Sequence, residues 1–231
     1  MTLESLIDLD QALLLWFNGS DSLFLDRFVE MLTWGFTWTP LYVALFYLVV
    51  KNNETMLQIG LVMVCAGLCI LLATGMAEGI IKPLIARPRP SLDPYLKYTV
   101  NVVDNHRESG FSFFSAHAAN TMSLAVFVSL LVRNKFFSVV MVVWSLLNCW
   151  TRLYLGVHYP IDILCGIVWG IISGLVSYWA FYKFYFKVSP KINYISSQYT
   201  PTGYSTTDID VVMAVIALIL AVAMLLSLSV S

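Results

Sequence analysis

Long apolar stretches dominate this chain and limit what it can fold into. The sequence is 59% hydrophobic and 12% charged over 231 residues, whereas soluble domains are usually about 45–50% apolar. A helix that crosses a bilayer needs about 20 mostly apolar residues. Six stretches meet or approach that length, at residues 31–50, 56–81, 118–132, 136–154, 161–182 and 211–230. The pattern therefore predicts an all-α polytopic membrane helix bundle of about six transmembrane helices.

Two of these stretches are irregular. The segment from Trp34 to Pro40 interrupts the first stretch near its start, because glycine and proline are poor helix formers in a helix interior. The stretch 118–132 is short for a span, and we expect its helix to extend back toward His117.

The first 33 residues are too polar to span a bilayer. Their apolar residues recur at helical spacing with acidic residues opposite, which predicts two short amphipathic helices with a break at 18–21. Asp8 and Asp10 belong to the polar face of the first helix. Such helices can lie in the membrane interface, and packing on the bundle fits the pattern equally well. We therefore divide the chain into an amphipathic interfacial region, 1–33, and a single transmembrane domain, 34–231, with an extra C-terminal span at 211–230.

The loops between the apolar stretches alternate between two sides. Loops 51–55, 133–135 and 183–210 share one side, and their basic residues are Lys51, Arg133, Lys135, Lys183, Lys187 and Lys191. Short cytoplasmic loops carry an excess of lysine and arginine, so we assign this side to the cytoplasm. The N-terminal region and loops 82–117 and 151–160 then face outward.

The cysteines and the overall charge exclude several classes of site. All four cysteines, at positions 65, 69, 149 and 165, fall inside apolar stretches, where free cysteine packs as a small hydrophobic residue. We expect no disulfide, no metal site and no cofactor. The net charge is −1 with no basic run, so nothing indicates nucleic-acid binding, and no obligate protein partner is implied.

Ionisable residues gather at the ends of the apolar stretches on the outward side. Charges are costly near a bilayer and usually mark functional positions. The group contains three cations, two histidines and one carboxylate, namely Lys82, Arg89, Arg152, His117, His158 and Asp162. Phosphate chemistry without a metal needs such parts: a nucleophile, a proton donor and fixed positive charge.

His158 and Asp162 are four residues apart at the start of a predicted helix. Residues at this spacing lie on one helix face, so Asp162 could accept a hydrogen bond from one imidazole nitrogen and leave the other free to attack phosphorus. The plainer interpretation is an aspartate favoured by the dipole at a helix N-terminus.

Ser115 is a plausible N-cap two residues before His117, and helix N-termini suit anions. His117 could then protonate a leaving group, or it could be an interfacial histidine with no role. Arginine is suited to bidentate contact with phosphate, although the cations could also simply extend to the membrane interface. Glu78 is one turn before Lys82 and can pair with it. The remaining cationic or histidine loop residues, Arg87, Lys97, His106 and Arg107, are assigned to headgroup contacts at most.

Together these residues form a pattern that resembles a known family. Lys82 with Arg89-Pro90, Ser115 with His117, and Arg152 with His158 and Asp162 have the spacing of the three-part signature of the type 2 phosphatidic acid phosphatase superfamily. The resemblance covers residues 82–162. It implies a metal-independent integral membrane lipid phosphatase. His158 would be the nucleophile that forms a phosphohistidine, oriented by Asp162, and His117 would be the general acid. The phosphate pocket would consist of Lys82, Arg89, Ser115 and Arg152.

The resemblance also implies a setting and a substrate class. In its small size and its outward-facing site, the chain is similar to phosphatases of the bacterial inner membrane. These enzymes act on undecaprenyl pyrophosphate, phosphatidylglycerophosphate, phosphatidic acid or the 1-phosphate of lipid A. Undecaprenyl pyrophosphate ranks first. A lipid phosphotransferase could use the same phosphoenzyme. An anion transporter and a non-catalytic lipid-binding protein are alternatives from other classes.

The chain departs from the family pattern at three positions. Phe114 and Ala116 stand where the family usually has Pro and Gly, and Thr151 stands where it usually has Ser. Gly tolerates positive φ and Ala does so poorly, so Ala116 would distort a pocket that needs that conformation. Thr151 keeps a hydroxyl, and we expect little effect there.

Overall fold

The computed structural model describes residues 3–188 and 197–229. Within these ranges its regular secondary structure is helical, apart from one isolated β-bridge. Lys191 and residue 230, named above, lie outside them. The α-helices are α1 (Leu3–Phe17), α2 (Leu23–Thr33), α3 (Thr39–Lys51), α4 (Met56–Met76), α5 (Lys82–Ile85), α6 (Ala116–Val132), α7 (Lys135–Tyr154), α8 (Pro160–Val188) and α9 (Thr206–Leu228). The prediction of an all-α membrane bundle is confirmed.

The predicted number of about six spans is not confirmed. Four helical stretches in the described ranges are long and apolar enough to cross a membrane: Met56–Leu92, Lys135–Tyr154, Pro160–Tyr185 and Thr206–Leu228. Leu23–Thr33 and Gly35–Lys51 would together make a fifth, but they are bent by 68°. The bend falls within the predicted break, where Trp34 is extended and a 3₁₀ turn covers Gly35–Trp38. By length and composition the described ranges therefore contain four to five candidate spans, since α3 has only 13 residues and the apolar helix α6 only 17.

The N-terminal region forms the two expected helices, α1 and α2. They are separated at 18–21, where Gly19 has a positive φ of 65°, and Ser22 caps α2 by accepting a hydrogen bond from the Leu25 amide. The helix α1 packs against α7 and α8. Leu14 on α1 is fully buried while Trp16 is 77% exposed. One side of α1 therefore belongs to the bundle.

A row of glycines lets α8 lie directly against α6. A Cβ atom at Gly166 would lie 2.6 Å from the carbonyl oxygen of Ser115, and those at Gly170 and Gly174 would come equally close to α6 carbonyls. Small residues at four-residue spacing allow such close approach of membrane helices. The Ser115 amide also donates to the backbone oxygen of Asp162 at 3.1 Å. This packing fixes the start of α6 beside the start of α8.

Candidate active site

Helix ends bring the predicted site residues to one end of the bundle. Lys82 follows a π-helical turn, Ala77–Ile81, that extends α4. Arg152 is in the last turn of α7, and Asp162 is in the first turn of α8. His158 lies in the connection between those two helices. Six of the predicted residues are buried, and His117, at the start of α6, is partly buried.

His158 faces a serine that joins it to Asp162. The distance from His158 Nδ1 to Asp162 Oδ2 is 3.6 Å, which is longer than a hydrogen bond. Ser112 lies between them, because its hydroxyl donates to Asp162 and is 3.4 Å from His158 Nδ1. Asp162 therefore reaches His158 mainly through Ser112, and this differs from the direct contact that the four-residue spacing suggested.

Asp162 also stabilises the start of α8. Its Oδ2 accepts a hydrogen bond of 2.9 Å from the Tyr159 amide, which satisfies one of the free donors at a helix N-terminus. The dipole interpretation and the orienting interpretation of Asp162 are thus compatible, since one carboxylate caps the helix and holds Ser112. The side chain of Asp162 is fully buried.

Two of the predicted cations converge on a carboxylate. Arg89 Nη1 is 2.8 Å from Glu108 Oε2, and Arg152 Nη2 contacts the other oxygen of Glu108. Arg89 Nη1 is also 3.4 Å from His158 Nε2. A carboxylate held by two arginines beside an imidazole nitrogen occupies a place that suits a phosphate group, because arginine binds both kinds of anion.

Lys82 and His117 complete the cluster. Lys82 Nζ is 2.6 Å from Glu78 Oε1, so the predicted pair one helical turn apart is confirmed. Lys82 interacts electrostatically with Arg89 and with His117. Both interactions are repulsions between positive charges, so they show that these side chains are near one another without holding them together.

The sequence departure at Ala116 carries no backbone strain. Ala116 is the first residue of α6 and is not among the non-glycine residues with positive φ, which in the described ranges are Ala86, Asn105 and Arg133. The Ser115 hydroxyl accepts a hydrogen bond of 3.3 Å from the Ala118 amide, so Ser115 is an N-cap as predicted. The start of α6 therefore does not need glycine at position 116.

Arg87 belongs to the buried network rather than to the headgroup region. Its Nη1 donates to Asp162 Oδ1 at 2.8 Å and its Nη2 to Asp10 Oδ2 at 2.7 Å. The guanidinium also lies 3.7 Å from the centre of the Tyr159 ring. The assignment of Arg87 to headgroup contacts was wrong, because its spacing in the sequence gave no sign of a buried carboxylate partner. His106 is also near the cluster, 3.8 Å from Glu108, whereas Lys97 and Arg107 are exposed.

The imidazole of His158 is suited to remain neutral. Burial lowers the pKa of His158 from 6.5 to about 4; Asp162 opposes the shift, and Arg89 adds to it. A neutral imidazole has a free nitrogen lone pair, whereas an imidazolium donates from both nitrogens. With Nδ1 toward Ser112 and Asp162, the nitrogen with the lone pair is Nε2, on the side of Arg89.

An apolar cavity of about 550 Å³ borders the cluster at His117. Its walls come from α3, α4, α6 and α7 and include Trp38, Tyr42, Gly67 and Trp144. The cavity extends as far as Tyr204, near the start of α9. A long apolar space that opens beside a charged cluster has the size and lining of a ligand site.

Sequence reasoning missed three side chains that contact the predicted site residues, namely Thr33, Glu108 and Ser112, and it also missed Asp10, which contacts Arg87. Thr33 on α2 accepts a hydrogen bond from Arg152. Asp10 was placed on the polar face of α1, yet it is 2% exposed. Ser112 is three residues before Ser115, and this closeness to a predicted site residue could have identified it from the sequence. The other three are brought in from distant parts of the chain.

The fold and the cluster together define a class of protein. Its members are all-helical membrane bundles with buried cations around a histidine at one end. The chain belongs to the PAP2 superfamily, whose family model matches residues 57–186. The suspected resemblance is therefore confirmed. The chain is a membrane lipid phosphatase, an enzyme that hydrolyses phosphate esters.

Three named relatives align with parts of this chain. The chain is 38% identical to a lipid A 4'-phosphatase of Bacteroides thetaiotaomicron, over 72% of this chain and 74% of that protein. It is 33% identical to a lipid A 4'-phosphatase of Porphyromonas gingivalis, over 71% and 70% respectively. It is also 33% identical to the undecaprenyl-diphosphatase BcrC of Bacillus subtilis, over 41% of this chain and 48% of that protein.

Two crystal structures share the fold. Aquifex aeolicus LpxE superposes with a TM-score of 0.55 at 24% identity, covering 72% of this chain and 92% of the other. A PAP2-type phosphatidylglycerolphosphate phosphatase from Bacillus subtilis superposes with a TM-score of 0.56 at 21% identity, covering 80% and 89%.

Proposed function

We propose that this phosphatase removes a phosphate group from lipid A or a closely related phosphorylated glycolipid. The two lipid A 4'-phosphatases described above align with this chain over 74% and 70% of their own length. The observation that carries the proposal is the position of His158 Nε2, 3.4 Å from Arg89, in a cluster that adjoins an apolar cavity. A phosphate held by the cations would have its lipid chains directed toward that cavity.

Undecaprenyl pyrophosphate, which ranks first from sequence reasoning, becomes the second candidate. It is supported by the likeness to BcrC, which covers 41% of this chain. The lipid A relatives cover more of the chain, so the ranking changes. Both substrates place a phosphate beside long apolar chains, and a substrate panel separates them.

The reaction proceeds through a phosphohistidine in this proposal. His158 Nε2 attacks phosphorus, a nitrogen–phosphorus bond forms, and the bond to the lipid oxygen breaks as that oxygen takes a proton from His117. Water then attacks phosphorus and gives its proton to His117. The nitrogen–phosphorus bond breaks, inorganic phosphate leaves, and both histidines return to their starting states. Asp162, through Ser112, holds the proton on His158 Nδ1 and offsets the positive charge that grows on the ring.

Lys82, Arg89 and Arg152 hold the phosphate in this proposal. Their charge stabilises the equatorial oxygens as negative charge builds on them in the transition state. Arg152 Nε is buried and has no hydrogen-bond partner in the described parts of the chain, so it has a donor free for a phosphate oxygen. Ser115 contributes through the start of α6, where helix N-termini favour anions.

The apolar cavity receives the lipid chains. Gly67 lies in its wall, and a Cβ atom there would meet no atom within 4 Å. We expect Gly67→Phe to fill part of the cavity and raise the KM for a long-chain lipid phosphate by about tenfold, which corresponds to roughly 1.4 kcal/mol of lost binding. Turnover of a short, water-soluble phosphate ester should stay near that of the wild type. Gly60→Phe, on the same helix but outside the cavity wall, is the matched control.

Phosphate release from a purified panel tests the function itself. The panel contains bisphosphorylated lipid A, undecaprenyl pyrophosphate, phosphatidylglycerophosphate and phosphatidic acid, with inorganic phosphate as the measured product. Highest kcat/KM on lipid A supports the proposal, and highest kcat/KM on undecaprenyl pyrophosphate replaces it with the second candidate. Transfer of phosphate to another lipid without inorganic phosphate would instead indicate a phosphotransferase.

Glu108 occupies the place that the phosphate would take between Arg89 and Arg152. Substrate must then displace its carboxylate, and we expect Glu108→Gln to lower the inhibition constant of orthovanadate by about tenfold. Glu54→Gln, at the opposite end of the bundle and exposed, should leave it unchanged. Weaker orthovanadate binding by the Glu108 variant would show that this carboxylate supports the pocket rather than competes for it.

The cluster faces the periplasm across the bacterial inner membrane in this proposal. The support is the excess of lysine and arginine in the short loops at the other end of the bundle. A cysteine in place of the exposed Lys97 should react with an impermeant thiol reagent in cells with a permeabilised outer membrane. A cysteine replacing Lys51, at the other end, should react only after lysis, and the opposite result would reverse the orientation.

A further inference from the structure

Asp10 is a buried carboxylate on α1 with two partners near the candidate site. One oxygen is 2.7 Å from Arg87 Nη2, and the other accepts a hydrogen bond of 2.8 Å from the Ile161 amide at the start of α8. The side chain is 1% exposed. Burying a charge is costly unless it is paired and hydrogen-bonded, and both oxygens of Asp10 meet that requirement.

Arg87 connects this carboxylate to Asp162. The guanidinium uses one nitrogen for each carboxylate, at 2.7 and 2.8 Å, and lies 3.7 Å from the centre of the Tyr159 ring. Arginine is planar and presents its donors in a fixed geometry. The position of Asp10 therefore determines where Arg87 holds the carboxylate of Asp162.

We propose that Asp10 is a positioning residue, which acts through Arg87 to hold the carboxylate of Asp162 in place. Asp162 orients His158 through Ser112, so the inference rests on the proposed function. Asp10 lies outside residues 57–186, which match the family model. The amphipathic helix α1, which packs against α7 and α8, then supports the site through Asp10. Thr33 on α2, which contacts Arg152, extends the same support to the phosphate pocket.

Kinetics of Asp10→Asn separate positioning from a purely structural role. We expect kcat on the preferred lipid phosphate to fall by about 10- to 100-fold, the range found when the outer partners of metal-binding side chains are removed. KM and the inhibition constant of orthovanadate should stay within about threefold, since Lys82, Arg89 and Arg152 keep their positions. Asp8→Asn, on the same helix but exposed, is the matched control and should behave as the wild type.

A double-mutant cycle tests the route through Arg87. Residues that act on one shared partner are non-additive, so Asp10→Asn combined with Arg87→Lys should cost no more than the more damaging single change. Asp8→Asn combined with Arg87→Lys should be additive. Full additivity of the Asp10 and Arg87 changes would overturn the proposed route.

The tautomer of His158 gives a readout that does not depend on activity. The chain has only three histidines, so nitrogen-15 histidine spectra of the full chain in lipid nanodiscs can be assigned with single variants. The wild type should show His158 protonated at Nδ1, and Asp10→Asn should show a mixture of tautomers.

The combined results decide between the possible roles of Asp10. An unchanged tautomer of His158 together with an unchanged kcat would overturn the inference while leaving the proposed function intact. If the wild type released no phosphate from any lipid, the function would fail and the spectra would still decide the role of Asp10. A parallel loss of orthovanadate binding and thermal stability would mean that Asp10 is only structural.

Discussion

His158→Ala should reduce phosphate release from the preferred lipid phosphate by at least about 10⁴-fold, because loss of a nucleophile removes the covalent route altogether. His158 is 2% exposed and adjoins Arg89 and Ser112, so the substitution removes a small, defined volume from the pocket. Binding of orthovanadate should persist, since the three cations remain. The measurements are steady-state turnover and orthovanadate affinity on the same preparation.

Trapping of the intermediate makes this prediction specific to the nucleophile. Wild-type enzyme quenched during turnover of a radiolabelled phosphate ester should carry acid-labile, base-stable label, as expected for a phosphorus–nitrogen bond, and His158→Ala should carry none. His106→Gln changes a histidine that lies 3.8 Å from Glu108 but has no role in the proposed reaction, so this variant should still turn over substrate and carry the label. Label that persists in His158→Ala would assign the nucleophile to another residue.

The apolar stretches and the residues at their ends could be predicted because both follow local rules. The length of each stretch gave helices α4, α7, α8 and α9 within a few residues, and the pair of Glu78 and Lys82 followed from helical spacing. For the first stretch, the break was predicted but the size of the bend was not. Its break at 34–40 bends the chain by 68°, and sequence alone did not indicate whether the two parts form one span.

The network around the site could not be predicted because its members come from distant positions. Asp10 is 77 residues from Arg87, and Glu108 is 44 residues from Arg152. Their pattern in the sequence is that of an exposed helix face and a polar loop. Whether alanine is tolerated at position 116 could likewise be answered only from the backbone, which shows Ala116 inside the first turn of α6.

Asp162 meets a structural requirement and, in the proposed mechanism, a catalytic one. Its carboxylate accepts from the Tyr159 amide, from Ser112 and from Arg87. A carboxylate with this many partners is held in one position, and the partners offset the cost of burial. The sequence could not decide between the helix-dipole interpretation and the His158-orienting interpretation of Asp162, because a carboxylate at the start of α8 fits both.

His117→Gln should produce a defect that depends on the leaving group. General acid catalysis contributes about 10²- to 10⁴-fold, so turnover of a lipid phosphate, whose alkoxide leaves poorly, should fall by that range. The burst of 4-nitrophenol from 4-nitrophenyl phosphate should keep nearly its wild-type rate, because nitrophenolate leaves without a proton. His117 is partly buried beside the cavity, and in the proposed mechanism it protonates the oxygen that joins phosphorus to the lipid.

The second half of the reaction sharpens this test. After the burst, His117→Gln should turn over slowly and accumulate labelled phosphoenzyme, because the same histidine accepts the proton of the attacking water. His158→Ala should show neither burst nor label with the same ester, so the two histidines are distinguished by one assay. Equal losses on the lipid and the nitrophenyl ester would contradict the acid role, since His117 would then be needed for phosphate binding rather than for proton transfer.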